Sequence, residues 1–294
     1  MTQEERRILA AQTPSADSDL RIIDFHVHPW IAQTWSYPEF FGLTPHQLVD
    51  RMDRESIAIS VLLPEESPEC TEYILTREVA AVRDIYPERF IAFVSIDPRQ
   101  SRLQERIVAC IENFGCKGFG ELKNGLLLDD PANEAIYEVC NQYGLPLVFH
   151  CDSRLCRDDA GLPRLEAMAR KYDKLKFVGH GPGFWSAIGG DDDRSENYPK
   201  GPIKPGGALD RLFAEFDNVY GEFSAGSGYN ALTRDPDFTP GFVERNHHKL
   251  LFGTDFIRPG QQLRQVEWIN TVDVPAQWRQ EMASGNAARL LGLD

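Results

Sequence analysis

Residues 21–28 read RIIDFHVH, so two histidines stand at the end of an apolar run. Alternate side chains of a β-strand point to the same side, which predicts that His26 and His28 lie next to each other. Three later runs end similarly: LPLVFH at 145–150 in His150, KLKFVGH at 174–180 in His180, and LLFGTD at 250–255 in Asp255. Imidazoles and carboxylates are common ligands of transition metals, so a metal site is predicted where these ends meet.

Eight such runs divide the chain, and they are mostly bounded by Gly, Pro or charged residues, as expected of strands buried on both faces. They cover residues 21–27, 57–63, 90–96, 117–121, 146–150, 175–180, 218–224 and 249–254. Helical patterns lie between them, at 72–86, 101–114, 133–144, 163–172, 207–216 and 276–291. Strand and helix in alternation predict an α/β fold, a (β/α)8 TIM barrel, with its active site at the carboxyl ends of the strands.

Two segments depart from the alternation. Residues 1–19 are a polar leader without a strand pattern, and residues 20–294 are predicted to form a single catalytic domain. Residues 181–206 are rich in Gly, Pro and acidic residues, which predicts a long loop without helix after strand 6, over the active face. In the helix at 133–144, Asn133 is the predicted N-cap and Gly144 the predicted end.

The composition excludes several function classes. The 294 residues are 42% hydrophobic and 26% charged, with a formal net charge of −14. Such a charge repels phosphate backbones and anionic membranes, so neither nucleic acid nor a membrane is an expected partner. An apolar stretch of about 18 residues or more is missing, as is a signal-peptide pattern, so a cytoplasmic protein with reduced cysteines is expected.

The ordered motifs resemble those of the amidohydrolase superfamily, in its amidohydrolase-related branch. They are HVH at 26–28, the strand ends FH, GH and FGTD, and GNAARLLGL at 285–293. The resemblance implies a divalent ion, usually zinc, held by His26, His28, His150 and Asp255. It implies that His180 is either a ligand of a second ion or an acid–base group. Members of this branch are often dimers or larger homo-oligomers, so the resemblance implies either a homodimer or a higher homo-oligomer.

The fourth strand leaves the number of ions open. Its end, KGFGELK at 117–123, places Glu121 at the barrel mouth. In TatD-like relatives a glutamate at this place bridges two metals, whereas others use a carbamylated lysine, for which Lys117 and Lys123 have the right parity. Glu121 could instead pair with a lysine and bind no ion. One or two ions are therefore expected.

Further residues near the strand ends are candidates for binding the substrate. Trp30 and Trp185 could form an aromatic wall, and Lys123, Arg154 and Arg258 could hold a carboxylate. Together they indicate a small anionic organic substrate.

The predicted function is hydrolysis of an ester, lactone or amide bond of a small carboxylated molecule by metal-activated water, with Asp255 and His180 as catalytic residues. The alternative on the same scaffold is a metal-dependent nonoxidative decarboxylase of an aromatic or muconate-type acid, and Glu121 favours hydrolysis. Two further interpretations are a barrel without catalytic activity that serves as a binding or assembly subunit, and a metal-dependent nuclease of the TatD type. The net charge opposes the nuclease.

Overall fold

The computed structural model describes residues 20–29, 44–70, 73–258 and 260–293. The leader at 1–19 and Trp30 lie outside them. The described ranges contain eight strands: β1 Ile22–Val27, β2 Ile57–Leu62, β3 Phe90–Ala92, β4 Phe119–Leu122, β5 Pro146–His150, β6 Lys176–His180, β7 Val219–Glu222 and β8 Leu250–Leu251. Each lies within or overlaps one of the eight predicted runs.

The strands form one closed parallel barrel. Two parallel sheets, β1–β2–β3 and β4 to β8 in sequence order, are joined by a parallel bridge between Val94 and Phe119. The barrel closes where Phe25 N donates to Phe252 O at 2.9 Å and Val27 forms a parallel bridge with Phe256. The predicted (β/α)8 barrel is therefore confirmed.

The helices surround this barrel. They are α1 Pro45–Arg54, α2 Thr76–Ile85, α3 Leu103–Phe114, α4 Pro131–Tyr143, α5 Pro163–Lys171, α6 Pro182–Ser186, α7 Ala208–Glu215, α8 Ala225–Thr233, α9 Thr239–Asn246, α10 Arg264–Thr271, α11 Ala276–Gln280 and α12 Asn286–Leu291, with a π-helical turn at Glu281–Gly285. Cys110 and Cys140 are buried in this layer as core residues, and all six cysteines are free thiols. None of the helices in the described ranges is long and apolar enough to cross a bilayer.

Two local predictions are wrong. Asp130, not Asn133, caps α4, because the Asp130 carboxylate accepts from the backbone N–H of Ala132 at 2.9 Å while the Asn133 side chain donates to Leu127 O. The segment after β6 also contains the short helix α6. Gly181 turns the chain there at a φ of +91°, and Pro182 provides a favourable first helical residue.

Candidate metal centre

The carboxyl ends of the strands bring the predicted donors together. His26 lies in β1 and His28 directly follows it, Glu121 comes from β4, His150 from β5 and His180 from β6, and Asp255 follows β8. The two histidines flank Val27, the last residue of β1, and alternation along the extended chain turns both to the same side. All but His150 and Asp255 are at most 3% exposed.

The two histidines at the end of β1 are arranged for coordination. Their Nε2 atoms are 3.0 Å apart, while His26 Nδ1 lies 2.9 Å from Glu222 Oε1 and His28 Nδ1 lies 2.9 Å from Leu63 O. Because each Nδ1 faces an acceptor, each Nε2 of a neutral ring carries a lone pair. Two lone pairs at this distance repel each other unless a cation lies between them. Nitrogens that share one ion at about 2.1 Å lie roughly 3 Å apart, so the pair fits a metal.

Glu121 stands between two pairs of histidines. Its Oε2 lies 3.4 Å from His28 Nε2 and 3.9 Å from His26 Nε2, and its Oε1 lies 3.2 Å from His150 Nδ1 and 3.8 Å from His180 Nε2. Oε2 is buried without a hydrogen-bond donor. A buried carboxylate oxygen in this state is costly unless a cation accompanies it, and the Lys123 ammonium, 3.4 Å away, provides one charge that it shares with Glu65.

Asp255 completes the centre from the opposite side. Its Oδ1 is 3.5 Å from Nε2 of both His26 and His28, and its Oδ2 is 4.0 Å from His180 Nε2. The backbone of Asp255 has a φ of +52°, and Gln261 holds this bend by donating to Asp255 O at 2.7 Å. The Asp255 side chain is 24% exposed, so it is the carboxylate of the centre that solvent or a substrate can reach.

The local electrostatics favour positive charge. Burial lowers the pKa of His28, but Glu65, Glu121 and Asp255 outweigh it and raise that pKa to about 9. For His180 burial is likewise outweighed, chiefly by Glu222, and the pKa rises to about 9. Protons take the place of a metal ion when the carboxylates have no other cation. The donor types and the short distances between them fit a divalent metal.

Glu222 belongs to the centre, although sequence reasoning missed it. It ends β7 and is fully buried, with contacts to both His26 and His180. The signal that could have found it is an acidic residue at the end of an apolar run, the same signal that identified Asp255. Gly253 makes room for it, since a Cβ atom there would lie 2.5 Å from Glu222 Oε2.

The substrate-binding candidates are divided among different places. Lys123 forms ion pairs with Glu65 and with Glu121, whose Oε2 is 3.4 Å away, and their charges raise its pKa although burial opposes the rise. Arg154 is exposed. Trp185 is 1% exposed and donates its indole N–H to Glu222 O at 2.9 Å, so it packs in the core and does not form a wall of the mouth.

A cavity of about 780 Å³ opens beside Asp255. Arg258, a predicted substrate-binding residue, and Arg264 line it. Tyr198, from the segment after β6, and Tyr229 from α8 contribute hydroxyl groups. Asp255 is the single carboxylate among the described lining residues. The cavity therefore joins the metal centre to a polar wall that carries two arginines.

The family model for amidohydrolases matches residues 23–293, nearly the whole chain. The chain belongs to the amidohydrolase family. The resemblance predicted from the motifs is thereby confirmed, and the family together with the His/Glu clusters supports a divalent metal. A comparison with curated proteins finds no significant match.

Solved structures share the fold of this amidohydrolase. An uncharacterized TIM-barrel protein from Bordetella bronchiseptica has a TM-score of 0.68 at 18% identity, covering 93% of this chain and 99% of the other. The 5-carboxyvanillate decarboxylase of Sphingomonas paucimobilis has a TM-score of 0.61 at 15% identity, with 93% and 99% covered. A dihydroxybenzoic acid decarboxylase from Polaromonas, with bound manganese, has a TM-score of 0.60 at 17% identity, with 93% and 97% covered.

Proposed function

We propose that this amidohydrolase is a hydrolase that depends on two divalent ions, with zinc as the metal, and that it cleaves an ester, lactone or amide bond of a small carboxylated molecule. One observation carries the proposal. The two oxygens of Glu121 face two different pairs of histidines, His26 with His28 and His150 with His180. A carboxylate in this position is suited to bridge two ions.

When bound, such ions would supply Lewis-acid polarisation of the substrate carbonyl and a lower pKa for the attacking water. Asp255 would accept the proton of that water, because its side chain is the one carboxylate of the centre that also lines the cavity. The water oxygen bonds to the carbonyl carbon, the bond to the leaving oxygen or nitrogen breaks, and Asp255 returns the proton to the leaving atom. His180 serves as a ligand in this two-ion form.

The substrate's carboxylate is assigned to the cavity wall. Arg258 and Arg264 are the cations that line it, and Arg264 lies over the ring of Tyr229 at 5.8 Å. A guanidinium binds a carboxylate through two parallel hydrogen bonds. Lys123 is not assigned this role, because its ammonium group is already paired with Glu65 and Glu121.

A nonoxidative decarboxylase of an aromatic or muconate-type acid is the second candidate. The contact between Lys123 and Glu121 favours it, since a lysine ammonium 3.4 Å from Oε2 can neutralise Glu121 without a second ion. Two of the compared structures are also decarboxylases. In this form one ion remains, and His180 is free to act as the acid that protonates carbon.

The ion count distinguishes the candidates. Protein purified without chelator is analysed for metal per chain in the wild type, in Glu121→Gln, and in Glu65→Gln as a control that removes a neighbouring buried carboxylate. Two ions that fall to one only in Glu121→Gln support the bridging glutamate and hydrolysis. One ion in all three proteins supports decarboxylation, which is then tested by carbon dioxide release from carboxylated aromatic acids.

A further inference from the structure

Glu222 contacts one histidine from each half of the metal centre. Its Oε1 lies 2.9 Å from His26 Nδ1 and 2.5 Å from His180 Nδ1. We propose that Glu222 is a positioning residue that holds His26 and His180 as Nε2 ligands, so that the affinities of both ions depend on this one carboxylate. The inference rests on the two-ion function proposed above.

The chemistry of imidazole explains the effect. A neutral imidazole carries one N–H, and an ionised carboxylate can only accept a hydrogen bond. Glu222 therefore retains the proton of each ring on Nδ1 and leaves the lone pair on Nε2. His26 Nε2 faces Glu121 and Asp255, and so does His180 Nε2. Partners of this kind typically change metal affinity 10- to 100-fold when they are removed.

The Glu222 carboxylate is itself held in place. Its Oε2 accepts from the backbone N–H of Ser224 at 2.8 Å, and its Oε1 accepts from the Ser224 hydroxyl at 3.0 Å. That hydroxyl also lies 3.0 Å from His180 Nδ1. Four contacts on one fully buried carboxylate leave it little freedom to rotate. Such rigidity is required of a group that fixes the direction of two rings.

His150 provides an internal contrast. Its Nε2 lies 3.1 Å from Asp152 Oδ2, so Asp152 orients this ring. Of the four histidines of the centre, Asp152 contacts His150 alone. Removing Asp152 should therefore weaken only the ion on the side of His150 and His180. Removing Glu222 should weaken both ions.

The test is a titration of the metal-free full-length protein with Co²⁺, followed by calorimetry and by the visible absorption of the bound ion. Glu222→Gln is compared with Asp152→Asn, and far-UV circular dichroism checks the fold of each. We expect both dissociation constants to rise 10- to 100-fold in Glu222→Gln. In Asp152→Asn one of the two should rise and the other should stay constant.

Ser224→Ala keeps the carboxylate and removes one restraint, so a smaller rise at both ions is expected even if Glu222→Gln does not fold. A rise at one ion only, or at neither, in a folded Glu222→Gln variant overturns the inference, as does a Ser224→Ala protein with unchanged constants. The number of ions bound by the wild type separately tests the proposed function. A wild type that binds one ion overturns the two-ion hydrolase, whereas unchanged affinity of that ion in Glu222→Gln overturns the positioning role.

Discussion

Two charged clusters follow the carboxyl ends of the barrel strands, and they are neutralised in opposite ways. In the rim cluster, made of Glu69, Asp97 and Arg99, the guanidinium of Arg99 binds both carboxylates, with four contacts of 2.6–2.8 Å. In the metal centre the histidine lone pairs and the carboxylate oxygens of Glu121 and Asp255 face one another. In the rim cluster one guanidinium contacts both carboxylates, whereas in the metal centre the Lys123 ammonium lies beside Glu121 and is shared with Glu65, so Asp255 and Glu222 are left for a metal ion and the histidines to neutralise.

The contrast predicts that the rim cluster contributes mainly to stability and the metal centre mainly to activity. Substitutions in the rim cluster should lower the free energy of unfolding and spare the ion count. Changes in the metal centre should act first on the ions and on catalysis. The four predictions that follow test this separation.

Ion removal should have the largest effect. Dialysis against a chelator should lower hydrolysis by at least about 10³-fold, since a metal ion contributes several kcal/mol to the transition state. The free energy of unfolding should fall by about 2.7 kcal/mol for each ion removed, relative to protein at an ion concentration of 100 times Kd. Activity assays and urea denaturation with and without the ion measure both. Full activity in metal-free protein would contradict the proposed chemistry.

Asp255→Asn should lower kcat by about 10²-fold or more, because an amide cannot accept the proton of water. The KM of a carboxylated substrate should change less, since Arg258 and Arg264 remain. Steady-state kinetics with metal content measured in parallel decides the matter. If the variant loses its ions, the main role of Asp255 is to bind metal and not to transfer the proton.

Arg99→Gln should destabilise the protein by about 1–3 kcal/mol, because the Asp97 side chain is 5% exposed and would lose its cation. The ion count and kcat should stay at wild-type values. Arg102→Gln is the matched control, since its pair with Glu105 lies on the surface and should contribute well under 1 kcal/mol. Urea denaturation of both variants gives the comparison. A loss of bound metal in Arg99→Gln would contradict the prediction that the rim cluster does not affect the ions.

The smallest expected effect is the pH dependence of the rim cluster. The hydrogen bonds from Arg99 lower the pKa of Glu69 from 4.5 to about 2. A depressed carboxylate pKa stabilises the fold above the unfolded value of 4.5, and the contribution disappears as the pH falls from there toward 2. The difference in unfolding free energy between wild type and Glu69→Gln should be about 1 kcal/mol at pH 7 and should shrink below pH 4. A difference that is constant over this range would contradict the assignment.

Much of the centre could be predicted from the sequence, because strand ends are visible as apolar runs. Glu121, His150 and Asp255 were found by their places at those ends, and all converge in the structure. Glu222 has a similar signal, but a single acidic residue near the end of a run does not by itself predict a metal site. The predicted aromatic wall does not include Trp185, since a sequence shows that an aromatic residue follows a strand but not that the short helix α6 turns its side chain into the core.

The sequence by itself determined the barrel and named most of the candidate donors, because buried strands and the residues at their ends are visible in the order of the chain. The tertiary structure decided the relations among donors. It alone placed the two oxygens of Glu121 against separate histidine pairs, paired Lys123 with Glu65, and put Glu222 between His26 and His180. These relations depend on distances of a few ångströms between strands that are far apart in the chain, and such distances are fixed only when the barrel closes.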